Sequence, residues 1–74
     1  MNRKLDKTDA MVLRIMKEYL SKCNENDFDN VEHIIQNLET KYKSDRHLSL
    51  CAIQESQFYT WLIPDEYIVE YSFD

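Results

Sequence analysis

Glycine is absent from all 74 residues and proline occurs once, at Pro64. A chain without glycine has no residue that takes up a left-handed backbone freely or lets the main chain approach a phosphate closely. Glycine-rich nucleotide-binding loops are excluded on that ground. Cysteine is scarce too: Cys23 and Cys51 are the only two, too few for the disulfide framework of a small secreted domain. Long hydrophobic runs are missing, since no stretch approaches the roughly 18 apolar residues of a membrane-spanning helix. The first residues, Asn2 to Lys7, are mostly charged and no apolar segment follows them. The expectation is a soluble, cytoplasmic protein with no membrane partner. The last scarcity is positive charge. From His47 to Asp74 there is no Lys or Arg, while Glu55, Asp65, Glu66, Glu70 and Asp74 all fall in that stretch.

What is present is acid, unevenly placed. Fourteen Asp/Glu face nine Lys/Arg, for a net charge of -5. Residues 1 to 22 hold six Lys/Arg against three Asp/Glu, whereas residues 23 to 74 hold three against eleven. Such a surface repels nucleic acid and attracts basic protein surfaces, so no direct nucleic-acid partner is expected. The length allows one domain, spanning 1–74, and a chain this short leaves much apolar surface exposed after folding. Small scaffolds compensate with disulfides, a metal or self-association, and only the last suits this composition, which points to a homodimer.

Between Thr8 and Lys22 the residues Met11, Val12, Ile15, Met16, Tyr19 and Leu20 recur at three- and four-residue steps, with Leu5 ahead of them, which predicts an amphipathic helix. Arg14, Lys17, Glu18 and Lys22 form its outer face. A polar, acidic connection over 24–30 follows, broken by Phe28. Asp29 and Glu32 then stand at capping-box spacing before Val31, Ile34, Ile35, Leu38 and Tyr42, predicting a second helix that fades near Lys43. Ser44 or Asp45 can cap a third helix from Arg46 to about Ser56, although the alternation of Leu48, Leu50 and Ala52 also reads as a strand. Residues 58–63 are aromatic and β-branched, Pro64-Asp65 is a turn signal, and Tyr67, Val69, Tyr71 and Phe73 alternate with Ile68, Glu70 and Ser72. The predicted fold class is α+β: two or three helices followed by a C-terminal β-hairpin, in a winged-helix-like layout.

No constellation supports catalysis or a cofactor. Cys23, His33, His47 and Cys51 are good ligand types, but only His47 and Cys51 are close enough to share a helical face, and Cys23 to His33 lacks metal-site spacing. The bland reading, a semi-buried cysteine and surface histidines, is preferred, and no metal is expected. Asp27 and Asp29 among Asn24, Asn26 and Asn30 imitate a calcium loop but lack its central glycine and its terminal glutamate. A Cys-His nucleophile would need an orienting group and an oxyanion hole, for which a domain of this size has little room. The sequence therefore predicts a binding protein and no enzyme. Arg46 is the sole base near the third helix, and Asp65, Glu66 and Glu70 lie where a DNA-binding wing would be, so DNA contact is disfavoured. The late aromatics Phe58, Tyr59, Trp61, Tyr67, Tyr71 and Phe73 interleave with acids, a composition equally suited to a core and to a protein interface.

An acidic chain lacking glycine and rich in Asn, Asp, Lys, Tyr and Ile resembles the small host-takeover proteins of phages of low-GC Gram-positive bacteria, among them the sliding-clamp inhibitors of staphylococcal phage. The segment His47-Leu48-Ser49-Leu50-Cys51 is similar to the bacterial clamp-binding pattern Gln-Leu-Ser/Asp-Leu-Phe. Three of five positions fit; His47 replaces the glutamine and Cys51 the large aromatic. The resemblance implies an inhibitor that binds a host DNA-replication protein, the sliding clamp (DNA polymerase III beta subunit), and blocks its access to DNA. Two routes follow. In one, Leu48 and Leu50 dock in the clamp's apolar pocket. In the other, favoured by the charge distribution, Glu55, Asp65, Glu66, Glu70 and Asp74 with Asp27, Asp29, Glu32 and Glu39 stand in for DNA phosphates. The alternative is a small winged-helix-like transcriptional or regulatory module.

Overall fold

The computed structural model describes residues 2–58 and 63–73. Its elements run β1 (Asn2–Leu5), α1 (Lys7–Ser21), α2 (Val31–Tyr42), α3 (Arg46–Gln54) and β2 (Glu70–Phe73), with 3-10 turns at Glu25–Asp27 and Asp65–Tyr67. Among the described residues the architecture is mixed α+β, with three helices and a two-stranded sheet.

Each helix begins where a short polar side chain satisfies a free backbone N–H. Asp6 accepts from the Asp9 N–H at 2.8 Å while Asp9 accepts from the Asp6 N–H at 3.3 Å, closing a capping box at the start of α1. Asp45 accepts from the Leu48 N–H at 2.7 Å and starts α3, one of the two caps the sequence suggested. At α2 the expected Asp29/Glu32 capping box is not formed. Asn30, one residue later, caps the helix by accepting from the His33 N–H at 3.1 Å, and Glu32 is left to pair elsewhere. With no glycine to end α2, Lys43 takes the left-handed cap conformation, φ 54° and ψ 36°.

The core fills the space between the helices. Leu13, Met16 and Leu20 of α1, Val31, Ile34, Ile35 and Leu38 of α2, and Leu48, Leu50, Cys51, Ala52 and Ile53 of α3 are buried together with Leu5 and Phe58. Helix α3 is enclosed on every side: from Leu48 to Ile53 all six residues are buried. That enclosure explains why its apolar alternation imitated a strand, because a helix buried all round shows no polar face to set its period. Ser49, the polar member of that run, bonds the Asp45 carbonyl at 2.9 Å and the Ser44 hydroxyl at 2.5 Å. Phe28, on the polar connection, meets Phe58 edge to face with centroids 5.8 Å apart.

A further expectation is corrected, and another is not met among the described residues. The first concerns α1, whose buried face is Leu13, Met16 and Leu20, while Met11 is 64% and Ile15 48% exposed. Leu13 dictates the orientation: Leu13, Met16 and Leu20 form one stripe against α3, and Met11 and Ile15 lie about 140–180° round the helix from it at 3.6 residues per turn. Leu5 does not extend that stripe but belongs to β1.

The second concerns the C-terminal hairpin, which the described residues do not show. Strand β2 pairs in parallel with β1, Arg3 opposite Tyr71 and Leu5 opposite Phe73. A parallel pair requires a long crossover, and here the helical body from α1 to α3 lies between the two strands in the chain. The expected first strand of the hairpin falls mainly on residues 59–62, outside the described ones. Tyr67 closes a 3-10 turn that follows Pro64, its N–H donating to the Pro64 carbonyl at 2.9 Å, and among the described residues 63–73 the strand is Glu70–Phe73. Nothing in this arrangement forms a wing beside α3 among the described residues.

Candidate protein-binding surface

The acids predicted to contact a partner fall into separate groups. Glu55, at the C-cap of α3, is turned inward: Tyr71 donates its hydroxyl to Glu55 Oε2 at 2.6 Å, and Lys17 Nζ lies 3.0 Å from Oε1. This cluster seams β2 to α3 and α1. Burial, and then the Glu55 carboxylate, push the Tyr71 hydroxyl well above the usual tyrosine range.

Glu32 is also engaged. Arg46 grips it with both nitrogens, Nη2–Oε2 at 2.6 Å and Nη1–Oε1 at 3.1 Å, in the two-pronged geometry that suits guanidinium and carboxylate. That grip, with a second hydrogen bond from Tyr67, holds the Glu32 carboxyl down at about 2. Arg46 in turn lies 5.6 Å from the centroid of the Tyr67 ring. Three segments distant in the chain, the first turn of α2, the first turn of α3 and the 65–67 turn, are joined at this point.

The remaining predicted acids lie around that junction or apart from it. Glu32 and Glu39 share one face of α2 by helical spacing, and Asp29 precedes the N-cap Asn30. Glu39 is close enough for its charge to help hold the Arg46 guanidinium above its usual range, after the larger effect of the Glu32 hydrogen bond. Asp65 and Glu66 occupy the turn that carries Tyr67 and are exposed. Among the described residues neither they nor Glu39 and Glu70 form an ion pair, and Asp29 meets only His33, at 3.4 Å. Asp27 is exposed and accepts from the Asn24 N–H at 2.7 Å as part of its own turn. Glu70 begins β2. Asp74 lies outside the described residues.

The structure thus brings Glu32, Glu39 and Glu66 within electrostatic reach of the Arg46–Tyr67 contact, leaves Asp27 on the turn preceding α2, and withdraws Glu55 to an internal role. Sequence reasoning did not find Tyr67 and Arg46 as the organising pair. Their contact spans 21 positions, and no local pattern signals it.

Leu48 and Leu50 are 4% and 5% exposed and Cys51 is fully buried. The segment similar to the clamp-binding pattern is thus core, and docking of these leucines in a partner's pocket would require α3 to leave the fold. Burial pushes the Cys51 thiol up to about 12, which disfavours the thiolate, although His47 Nδ1 is 3.6 Å away. Among the described residues no group of three His, Cys, Asp or Glu is placed to hold a metal ion, and no helix is long and apolar enough to cross a membrane. Helix α3 would be the recognition helix of a winged-helix reader; its residues Leu48–Ile53 are buried, and Arg46 at its exposed start is engaged with Glu32.

No family model, no curated protein and no solved structure matches this chain.

Proposed function

We propose that this protein is a non-enzymatic cytoplasmic inhibitor whose acidic surface occupies the DNA-contacting surface of a host replication protein. The resemblance to phage host-takeover proteins makes the sliding clamp the target of choice. The observation that supports this reading is the junction at Tyr67, where acids from α2 and from the 65–67 turn lie within electrostatic reach of the Arg46–Tyr67 contact and Arg46, the base at its centre, is bound to Glu32. Carboxylates fixed on a folded body offer a Lys/Arg-lined channel the charges it evolved to meet, without the reordering a flexible acidic tail would need. The surface charges of the mimic are Asp29, Glu39, Asp65 and Glu66, with Asp27 and Glu70 nearby in the chain. Glu32 and Glu55 serve as internal braces, and Leu48 and Leu50 serve the core.

The test is binding of the purified protein to a purified clamp at low and high salt. The triple variant Glu39→Lys, Asp65→Lys, Glu66→Lys, which removes none of the described ion pairs, should bind at least about tenfold more weakly, a change of roughly 1.4 kcal/mol. Affinity of the unaltered protein should fall as ionic strength rises. Unchanged affinity in the triple variant ends the mimicry reading. Capture from a low-GC Gram-positive lysate identifies the target if it is another DNA-encircling or DNA-binding protein; retention of nucleic acid alone would favour the regulatory-module alternative.

A further inference from the structure

Helix α1 has two apolar faces, of which only one is used within the chain. Leu13, Met16 and Leu20 enter the core, while Met11 and Ile15 form a ridge on the far side, 64% and 48% exposed. A shallow depression lies on each flank of the ridge. One is lined by Leu5, Asp6, Lys7, Thr8, Ala10 and Phe73, and the other by Ile15, Glu18, Tyr19, Lys22 and Tyr42. Phe73, itself 53% exposed, extends the apolar surface beyond the start of the helix. Isolated exposed apolar residues are ordinary, but a one-turn pair flanked by further apolar side chains on both ends is the kind of patch that marks an interaction site.

We propose that this face binds a second copy of the same chain, with the two α1 helices antiparallel and the twofold axis crossing between Met11 and Ile15. The charges on the ridge specify the occupant. With the axis at the level of Leu13, Met11 of one copy meets Ile15 of the other. Lys7 lies six residues to one side of the axis and Glu18 five residues to the other, distances of about 9 and 7.5 Å along the helix. The two residues lie on the same edge of the ridge, so each Lys7 is brought opposite the other copy's Glu18, twice per dimer. Among the described residues neither side chain has an ion-pair partner within its own chain. A self-complementary patch of this kind is what a twofold interface requires. Arg14 is the like-charge residue nearest the axis, and its own Glu18 lies one turn away on the same edge.

A contact made by one helix and its flanks is small, so self-association of about micromolar strength is expected. The face is separate from the acidic junction, and dimerisation would present two such junctions to one target.

Sedimentation velocity across about 5 to 500 micromolar protein reads the outcome directly, with circular dichroism to establish folding of each variant. The unaltered protein should shift from monomer to dimer over that range. Met11→Asp should abolish the shift, and because Met11 is exposed the fold should survive. Lys7→Glu and Glu18→Lys should each weaken the dimer at least about fivefold, and the double variant Lys7→Glu, Glu18→Lys should restore it. The restoration is the decisive result, because a general loss of helix stability or of solubility would not be reversed by a second substitution. A monomer at all concentrations, or a dimer indifferent to Lys7 and Glu18, overturns the proposal. So does capture by this face of an unrelated acidic protein with no self-association.

Discussion

Lys43 holds a left-handed backbone at the end of α2, a conformation that costs a residue with a Cβ roughly 1–2 kcal/mol. Glycine is the usual occupant of such a position, and this chain has none. Replacing Lys43 by Gly should therefore stabilise the protein, by about 0.5–1 kcal/mol after allowing for the greater freedom glycine has when unfolded. Lys43→Ala is the control, since it removes the same charge from the helix C-terminus while keeping the Cβ. The urea midpoint should rise for the glycine variant and not for the alanine one; equal midpoints would show that the left-handed cap carries no strain. At this scale the sequence was legible where one side chain acts on its own neighbours. Asp45 could be named as a cap, and the end of α2 near Lys43 followed from position and charge. Asn30 was missed because Asp29 and Glu32 fit the capping pattern equally well one residue earlier, and only the geometry of the turn selects between them.

Strand β2 is four residues long and meets a strand equally short, so its pairing with β1 alone is a weak hold. The side chain of Gln54, the last residue of α3, supplies a second one. Its Oε1 accepts from the Val69 N–H at 2.6 Å and its Nε2 donates to the Val69 carbonyl at 3.1 Å, so the amide pairs with the backbone as a neighbouring strand would. Gln54→Ala leaves both Val69 groups without this partner and should destabilise the protein by about 1–3 kcal/mol. The loss should be local before it is global. Amide exchange at Tyr71 and Phe73 should accelerate in the variant more than exchange at Ile34 or Leu38, and uniform acceleration would show that β2 opens only with the whole fold. The helices were legible as elements because each has a local period. The sheet was not, because Asn2–Leu5 is a polar stretch in which Leu5 is buried, and its partner lies at the other end of the chain. Alternation over 67–73 gave the extended tendency of β2 correctly and said nothing about which strand it would join. The face of α1 was misjudged for a similar reason: Met11 and Ile15 are as apolar as Leu13 and Leu20, and only packing against α3 decides which set turns inward.

At the scale of the molecule, ion pairs join segments that hydrophobic burial alone would leave loosely oriented. Arg3 reaches Asp45 at 2.7 Å and ties β1 to the start of α3, while Arg46 reaches Glu32 and ties α3 to α2 beside the 65–67 turn. Burial pushes the Asp45 carboxyl up, but the Leu48 N–H and the Arg3 guanidinium outweigh it and hold the group below its ordinary range. Glu32 is held at about 2 against an ordinary 4.5. A carboxyl whose folded value is depressed contributes stability that is fully present above its unfolded value and is lost as pH falls through its folded one. The Glu32 contribution should thus be intact above pH 4.5 or so and fade between there and pH 2. Glu32→Gln tests this by its shape: the stability gap between variant and unaltered protein should be widest near neutral pH and close as pH approaches 2, where the native side chain is protonated as well. Urea titrations at a series of pH values read the gap, and a gap that stays constant would mean that Glu32 acts by packing and not by charge. The same substitution separates bracing from mimicry. If Glu32 orients Asp65 and Glu66 through Arg46 and Tyr67, Glu32→Gln should weaken partner binding by loosening the 65–67 turn, and the loss should be accompanied by faster amide exchange at Tyr67 and Ile68. A loss of binding with those two amides unchanged would instead place Glu32 itself among the charges the partner touches.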